Sequence, residues 1–185
     1  MPKSNQLNED IVELIPALRA FARSFYRDAA DADDLVQETL IRALSKIHQF
    51  RPGTNMKSWL FTIMRNTFCT RHMMERREAP GSAACISEGS AIDPTQEWSL
   101  RGRELIEAVE RLPDKQREVL VLVGALGVAY NEAATICGCS IGTIKSRLNR
   151  ARQRLLVEIG ETTSTACVEQ AMQHPVGLVA WYRTQ

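Results

Sequence analysis

Residues 130–154 read YNEAATICGCSIGTIKSRLNRARQR, and this stretch decides the fold. Asn131, Glu132, Ala133, Ala134 and Ile136 belong to an alanine-rich helix, and Gly138-Cys139-Ser140 makes a turn. A second helix follows, with Ile141, Ile144 and Leu148 on one side. Lys145, Ser146, Arg147, Arg150, Arg152 and Arg154 supply its polar surface. Gly138 suits a left-handed residue at the end of the first helix, because it has no Cβ to clash. Ser140 suits the N-cap of the second, because its hydroxyl accepts from an otherwise unpaired amide. Residues 141–153 hold four basic side chains and no acid. This is the pattern of a helix-turn-helix whose second helix lies in a DNA major groove, while Lys and Arg hold the flanking phosphates. The plainer alternative is a solvated basic face on an ordinary helix.

A chain of 185 residues fits one large domain or two small ones. With 44% hydrophobic and 24% charged residues, it is expected to fold and to be soluble. The formal net charge is only +1, so the distribution of charge carries the information. The first 40 residues hold eight acids (Glu9, Asp10, Glu13, Asp28, Asp31, Asp33, Asp34, Glu38) against four bases (Lys3, Arg19, Arg23, Arg27). The basic excess sits in residues 57–77 and in the second helix of the helix-turn-helix. One acidic section and two basic ones point to a protein partner at one place and nucleic acid at two others.

The five cysteines are Cys69, Cys85, Cys137, Cys139 and Cys167. An odd count without a secretion signal argues for a reducing, cytoplasmic setting. Cys137 and Cys139 have no second cysteine pair or nearby histidine to complete four metal ligands, so structural thiols and no metal are expected. The three histidines (His48, His72, His174) are scattered, and no nucleophile-base set or phosphate loop is present. No catalytic residue, no enzyme activity and no cofactor are therefore expected. No apolar run approaches the ~18 residues of a membrane span, so no membrane partner is expected.

Helical spacing recurs along the chain and strand-like alternation does not persist, so the fold class is all-α. Leu18, Phe21, Ala22 and Phe25 make one apolar face, with Pro16 in a first turn. Asp31 or Asp33 is expected to cap the next helix, whose stripe is Val36, Leu40, Ala43, Leu44 and Ile47. Pro52-Gly53 marks a break within a loop over residues 50–55. A further helix starts near Met56 or Lys57, with Leu60, Ile63, Met64 and Phe68 inside and Arg65, Asn66, Arg71 and His72 outside. Trp59 stands beside that apolar face, which favours a core role over base stacking. Residues 79–96 are punctuated by Gly, Ser and Pro and read as a flexible linker. Helices resume with Leu100, Leu105, Ile106 and Val109, and Leu112-Pro113-Asp114 ends one helix and starts another. Val119, Leu120 and Val123 are expected inside that next helix. The expected division is a first helical domain at 1–78, the linker at 79–96, a helix-turn-helix domain at 97–160 and a tail at 161–185. Lobes this small carry only modest stability each.

The layout resembles an extracytoplasmic-function sigma factor, a compact bacterial sigma subunit of RNA polymerase, over residues 14–156. DADDLVQETLIRAL (31–44) resembles that family's polymerase-binding helix, and KSWLFTIMRNTF (57–68) its promoter-melting helix. LPDKQREVLVL (112–122) and the helix-turn-helix complete the pattern in the same order. ICGCSIGTIKSRLNRAR (136–152) resembles the general-stress group of alphaproteobacteria. In that group a small anti-sigma protein holds the sigma factor inactive, and a phosphorylated response regulator with a sigma-like domain captures the anti-sigma instead. Ala129 departs from the pattern, because related sequences often place Ser or Thr there. An alanine N-cap costs about 1 kcal/mol relative to those residues. Asn131 is the alternative cap, which would shorten the helix.

The resemblance implies a division of labour. Asp34, Gln37, Glu38 and Ile41 would meet core RNA polymerase at the clamp helices of β′, with a second contact on the β flap. Asn55, Lys57, Arg65, Asn66 and Arg71 would handle the downstream promoter element, where a base leaves the stack at a cost of a few kcal/mol. Arg76 and Arg77 would track phosphates beside them. Ser140, Thr143, Lys145, Ser146, Arg147 and Arg150 would read the upstream element. Partners would be core RNA polymerase, promoter DNA and an anti-sigma factor. One competing reading is a sigma-like decoy that sequesters an anti-sigma factor; the few residues after Gly160 leave no room for the receiver domain that such decoys carry. The other is a stand-alone helix-turn-helix regulator, which would not need the first lobe.

Overall fold

The computed structural model describes residues 2–78 and 97–159. Helices joined by turns and short irregular segments make it up, with no strand among the described residues. The chain divides into two units, Met1–Glu88 and Gly89–Gln185. The expected linker at 79–96 and the expected tail at 161–185 lie outside the described residues.

The first unit is built from α1 (Pro2–Glu13), α2 (Ile15–Ala22), α3 (Ala29–Ser45), a 3-10 turn (Ile47–Gln49) and α4 (Met56–Glu78). Pro16 sits in the first turn of α2, where its missing amide costs nothing. Asp28, and not Asp31 or Asp33, caps α3. Its backbone is extended, and its carboxylate accepts from the amides of Ala30 (2.8 Å) and Asp31 (3.2 Å). Asp31 lies within the first turn, where it complements the helix dipole, and Asp33 pairs with Arg19 at 3.0 Å.

The buried stripe of α3 is Ala32, Leu35, Val36, Thr39 and Ala43, which corrects the expected one. Leu44 is 50% exposed. The helix is rotated toward Thr39 because that hydroxyl donates to the Leu35 carbonyl at 2.7 Å, which lets a polar residue enter the core satisfied. Leu60, Phe61, Met64 and Thr67 form the buried side of α4, with Ile63 and Phe68 half-buried. An aromatic chain runs through the unit. Phe21 and Phe61 rings lie 4.9 Å apart, Phe21 and Phe25 4.8 Å, and Phe25 stacks on Phe68 at 4.4 Å.

The second unit contains α5 (Glu97–Glu110), α6 (Asp114–Val119), a π-helical segment (Leu120–Ala125), α7 (Tyr130–Cys137) and α8 (Ile141–Glu158). The buried Arg117 closes the α5–α6 turn by donating to the Glu110 carbonyl (2.8 Å) and to the Asp114 carboxylate (3.0 Å). The π segment corrects the expected α-helical face. Val119, Leu120, Val121 and Leu122 are all buried, while Val123 is only half-buried. The wider turn brings successive apolar residues inward, and the Leu126 amide reaches back five residues to the Val121 carbonyl at 2.9 Å. Ala133, Ala134 and Ile136 of α7 meet Ile144, Leu148, Ala151 and Leu155 of α8 in the core.

Candidate nucleic-acid interface

Residues 130–158 form a helix-turn-helix whose turn follows from three local choices. Gly138 takes φ 60 and ψ 41 at the C-terminus of α7, a left-handed conformation that a Cβ disfavours. The Ser140 hydroxyl accepts from the Thr143 amide at 3.2 Å and so caps α8. The same oxygen lies 3.0 Å from the Thr143 hydroxyl, so both side chains serve the cap. At the other end Ala129 is the N-cap of α7, with no side-chain hydrogen bond. Asn131 is helical and does not replace it. The helix keeps its first turn and leaves its cap unfilled.

The outer face of α8 is set by what its inner face buries. Ile144, Leu148, Ala151 and Leu155 point into the unit, which leaves Lys145, Ser146, Arg150 and Arg154 exposed. Ile141 is 45% exposed, so it departs from the packed position expected of it. The Ser146 hydroxyl donates to the Thr143 carbonyl at 3.0 Å. The Lys145 ammonium lies 5.9 Å from the centre of the Tyr130 ring. Arg147 is half-buried, with its guanidinium 3.9 Å from the Cys139 sulfur. Tyr130, exposed at the first turn of α7, joins this surface without having been singled out from the sequence. Its helical spacing gave no signal, because the contact with Lys145 crosses between two helices.

In the first unit the α4 start is held by Asn55, whose side-chain oxygen accepts from the Ser58 amide at 3.3 Å. The Lys57 ammonium lies 5.9 Å from the centre of the Phe61 ring. Trp59 is half-buried and its ring lies 5.2 Å from Phe50. Arg65 is half-buried and Asn66 exposed. The side chains of Arg76 and Arg77 lie outside the described residues. Arg71 does not extend outward with the others: its guanidinium pairs with Glu38 of α3. Burial pulls its pKa down, while the Glu38 carboxylate and the Tyr26 hydroxyl outweigh that effect and raise it above the ordinary arginine value.

On α3, Asp34, Gln37 and Ile41 share an exposed face, and Ile41 is 69% exposed. Leu44, one turn further on, extends the same apolar edge. Glu38 is more enclosed. Arg42 donates to it at 2.6 and 3.0 Å from its own helix. Cys69, Cys137 and Cys139 are free thiols, and among the described residues no three His, Cys, Asp or Glu side chains gather to hold a metal. No described helix is long and apolar enough to cross a membrane.

Two family descriptions match the chain: Sigma-70 region 2 over residues 11–78 and Sigma-70, region 4 over residues 102–155. Among curated relatives, the ECF RNA polymerase sigma factor EcfG of Rhodopseudomonas palustris is 48% identical over 155 residues, covering 84% of this chain and 86% of that protein. The ECF RNA polymerase sigma factor SigC of Mycobacterium tuberculosis is 36% identical over 139 residues, covering 73% and 74%. Among solved structures, the sigma factor RpoE of Bartonella quintana, crystallised with the anti-sigma factor NepR, superposes with a TM-score of 0.75. It has 42% identity and covers 85% of this chain and 99% of that one. CnrH, solved with the cytosolic domain of CnrY, shares the fold with a TM-score of 0.62 at 24% identity, covering 86% and 91%. With its two regions in family order and 48% identity to EcfG over 155 aligned residues, the chain belongs to the extracytoplasmic-function RNA polymerase sigma factors.

Proposed function

We propose that this sigma factor serves a general stress response, directing core RNA polymerase to stress promoters and being held in check by a small anti-sigma protein. The observation that carries the promoter-reading part is the outer face of α8. From residue 141 to residue 157 the helix holds Lys and Arg and no acid. Its N-terminus is capped, and its apolar side is committed to the core. Such a helix enters a major groove N-terminus first, so Ser140, Thr143, Lys145, Ser146, Arg147 and Arg150 meet the upstream element. The stress assignment is supported by the 48% identity to EcfG, and anti-sigma control by the 42% identity to a sigma factor solved with NepR.

The first unit performs two tasks on two helices. Asp34, Gln37 and Ile41 of α3 face the β′ clamp helices, with Glu38 at the edge of that face and Leu44 extending it. Asn55, Lys57, Arg65 and Asn66, at the start and along α4, handle the opened non-template strand, and the second unit also meets the β flap. No bond is made or broken by the chain itself, since the polymerase supplies the chemistry in the cytoplasm. Two modest DNA contacts in one polypeptide gain from effective concentration, so each unit alone binds promoter poorly. An anti-sigma protein that covers the exposed α3 face blocks polymerase access.

Reconstitution with bacterial core polymerase and candidate stress promoters tests this reading, with and without a NepR-type protein. The expected result is promoter-specific transcripts that the anti-sigma protein suppresses. Transcripts that it leaves untouched would remove the regulatory part. No transcripts, with capture of the anti-sigma protein retained, would favour a decoy.

A further inference from the structure

We propose that Glu38, Arg42 and Arg71 form an ionic brace between α3 and α4, in which Arg71 is a positioning residue for strand capture and not a phosphate contact. This rests on the function proposed above. The Glu38 carboxylate is engaged from two sides. One oxygen accepts from Arg42 Nε (3.0 Å) and Nη2 (2.6 Å), and the other pairs with Arg71 Nε across the helix interface. The Glu38 side chain is only 25% exposed, whereas Asp34, Gln37 and Ile41 on the same helix are open. Arg71 also interacts with the Tyr26 hydroxyl, and the Tyr26 ring lies 5.4 Å from Phe68 of α4. One guanidinium therefore joins α3, α4 and the turn after α2.

A guanidinium committed to a carboxylate is poorly placed to neutralise a DNA phosphate: to reach one it must leave Glu38 half-compensated beside an incoming negative strand. Partly exposed ion pairs also contribute little to stability, so the chief consequence of this one is geometric. It sets how α4, which carries Lys57, Arg65 and Asn66, lies against the polymerase-facing helix. Losing the brace should impair strand capture more than folding.

The test uses the full chain bound to bacterial core polymerase, with a forked promoter fragment exposing the non-template strand. Binding is titrated over a salt series, at a temperature where circular dichroism shows every variant folded. Arg71→Gln is expected to weaken fork capture about three- to tenfold with core affinity retained, and Glu38→Gln to weaken it by the same factor once its complex with core is saturated. The double variant should be no weaker than either single one, and the salt slope should match the wild type. Arg71→Lys, which keeps a charge against Glu38, should stay within about twofold. A salt slope smaller by ~0.7 in Arg71→Gln would make Arg71 a phosphate contact and overturn the proposal. Wild-type fork capture in core-bound Glu38→Gln would do the same. A wild-type chain that neither joins core nor captures the fork overturns the functional reading and the brace together. Normal wild-type capture with an indifferent Glu38→Gln overturns the brace alone.

Discussion

The Arg147 guanidinium lies 3.9 Å from the sulfur of Cys139, the residue immediately before the Ser140 cap of α8. A side chain two turns into the helix is thus drawn back toward the helix N-terminus, the end that a helix-turn-helix presents to base edges. Arg147→Ala should weaken binding to duplex DNA carrying the upstream element by about 1–3 kcal/mol at fixed salt. The melting temperature should hold within roughly 3 °C, because no core side chain is removed. Fluorescence anisotropy and a thermal melt of the same sample check both. Unchanged DNA affinity would remove Arg147 from the interface.

The two helices of the reader differ at their starts, and the difference can be exploited in both directions. Ser140→Ala removes an acceptor used by the Thr143 amide and should cost about 1 kcal/mol. Ala129→Ser offers an acceptor where none exists and should gain up to about 1 kcal/mol. Chemical denaturation of the two variants should therefore move in opposite directions. A loss of stability in Ala129→Ser would mean that the α7 amides already have a better partner.

Gly138 is needed for its backbone and not for space. Its φ is 60, and nothing lies within 4 Å of where a Cβ would stand. Gly138→Ala should therefore cost about 1–2 kcal/mol from the left-handed conformation alone. Gly138→Asn should cost less, since Asn adopts that region more readily. Equal losses in the two variants would point to a steric origin instead.

Ile41 separates stability from binding. Because it is 69% exposed, Ile41→Asp should change folding stability by no more than about 0.5 kcal/mol. Its affinity for core polymerase should fall by more than about 1 kcal/mol, as expected for an apolar anchor replaced by a charge. Competition against wild type for a limiting amount of core measures this. Undiminished competition would place the polymerase contact elsewhere.

The parts of the fold legible in the sequence were those with local causes. Gly138, Ser140 and Pro16 each act within one turn of their own helix, and each stands where its chemistry calls for it. The parts that were not legible depend on partners distant in the chain or on unusual backbone. Thr39 enters the core because its hydroxyl finds the Leu35 carbonyl, so a hydropathy stripe misplaces the face of α3 and hides the exposure of Leu44. Asp28 takes the cap from Asp31 and Asp33 because the helix begins at Ala29, three residues earlier than a cap at Asp31 would start it. The π segment at Leu120–Ala125 buries consecutive apolar residues, and no 3.6-residue period describes it. The candidate site divides in the same way. The basic face of α8 follows from one helix, whereas the Glu38–Arg71 pair joins residues 33 positions apart and carries no signal in either stretch alone.

The most direct measurement is whether the purified chain forms a one-to-one complex with bacterial core RNA polymerase, read by mass photometry at nanomolar concentration. A stoichiometric complex that starts transcripts on addition of promoter DNA and nucleotides is the expected result. A chain that stays apart from core at every concentration tested would contradict the assignment of the α3 face, and with it the promoter-directing role.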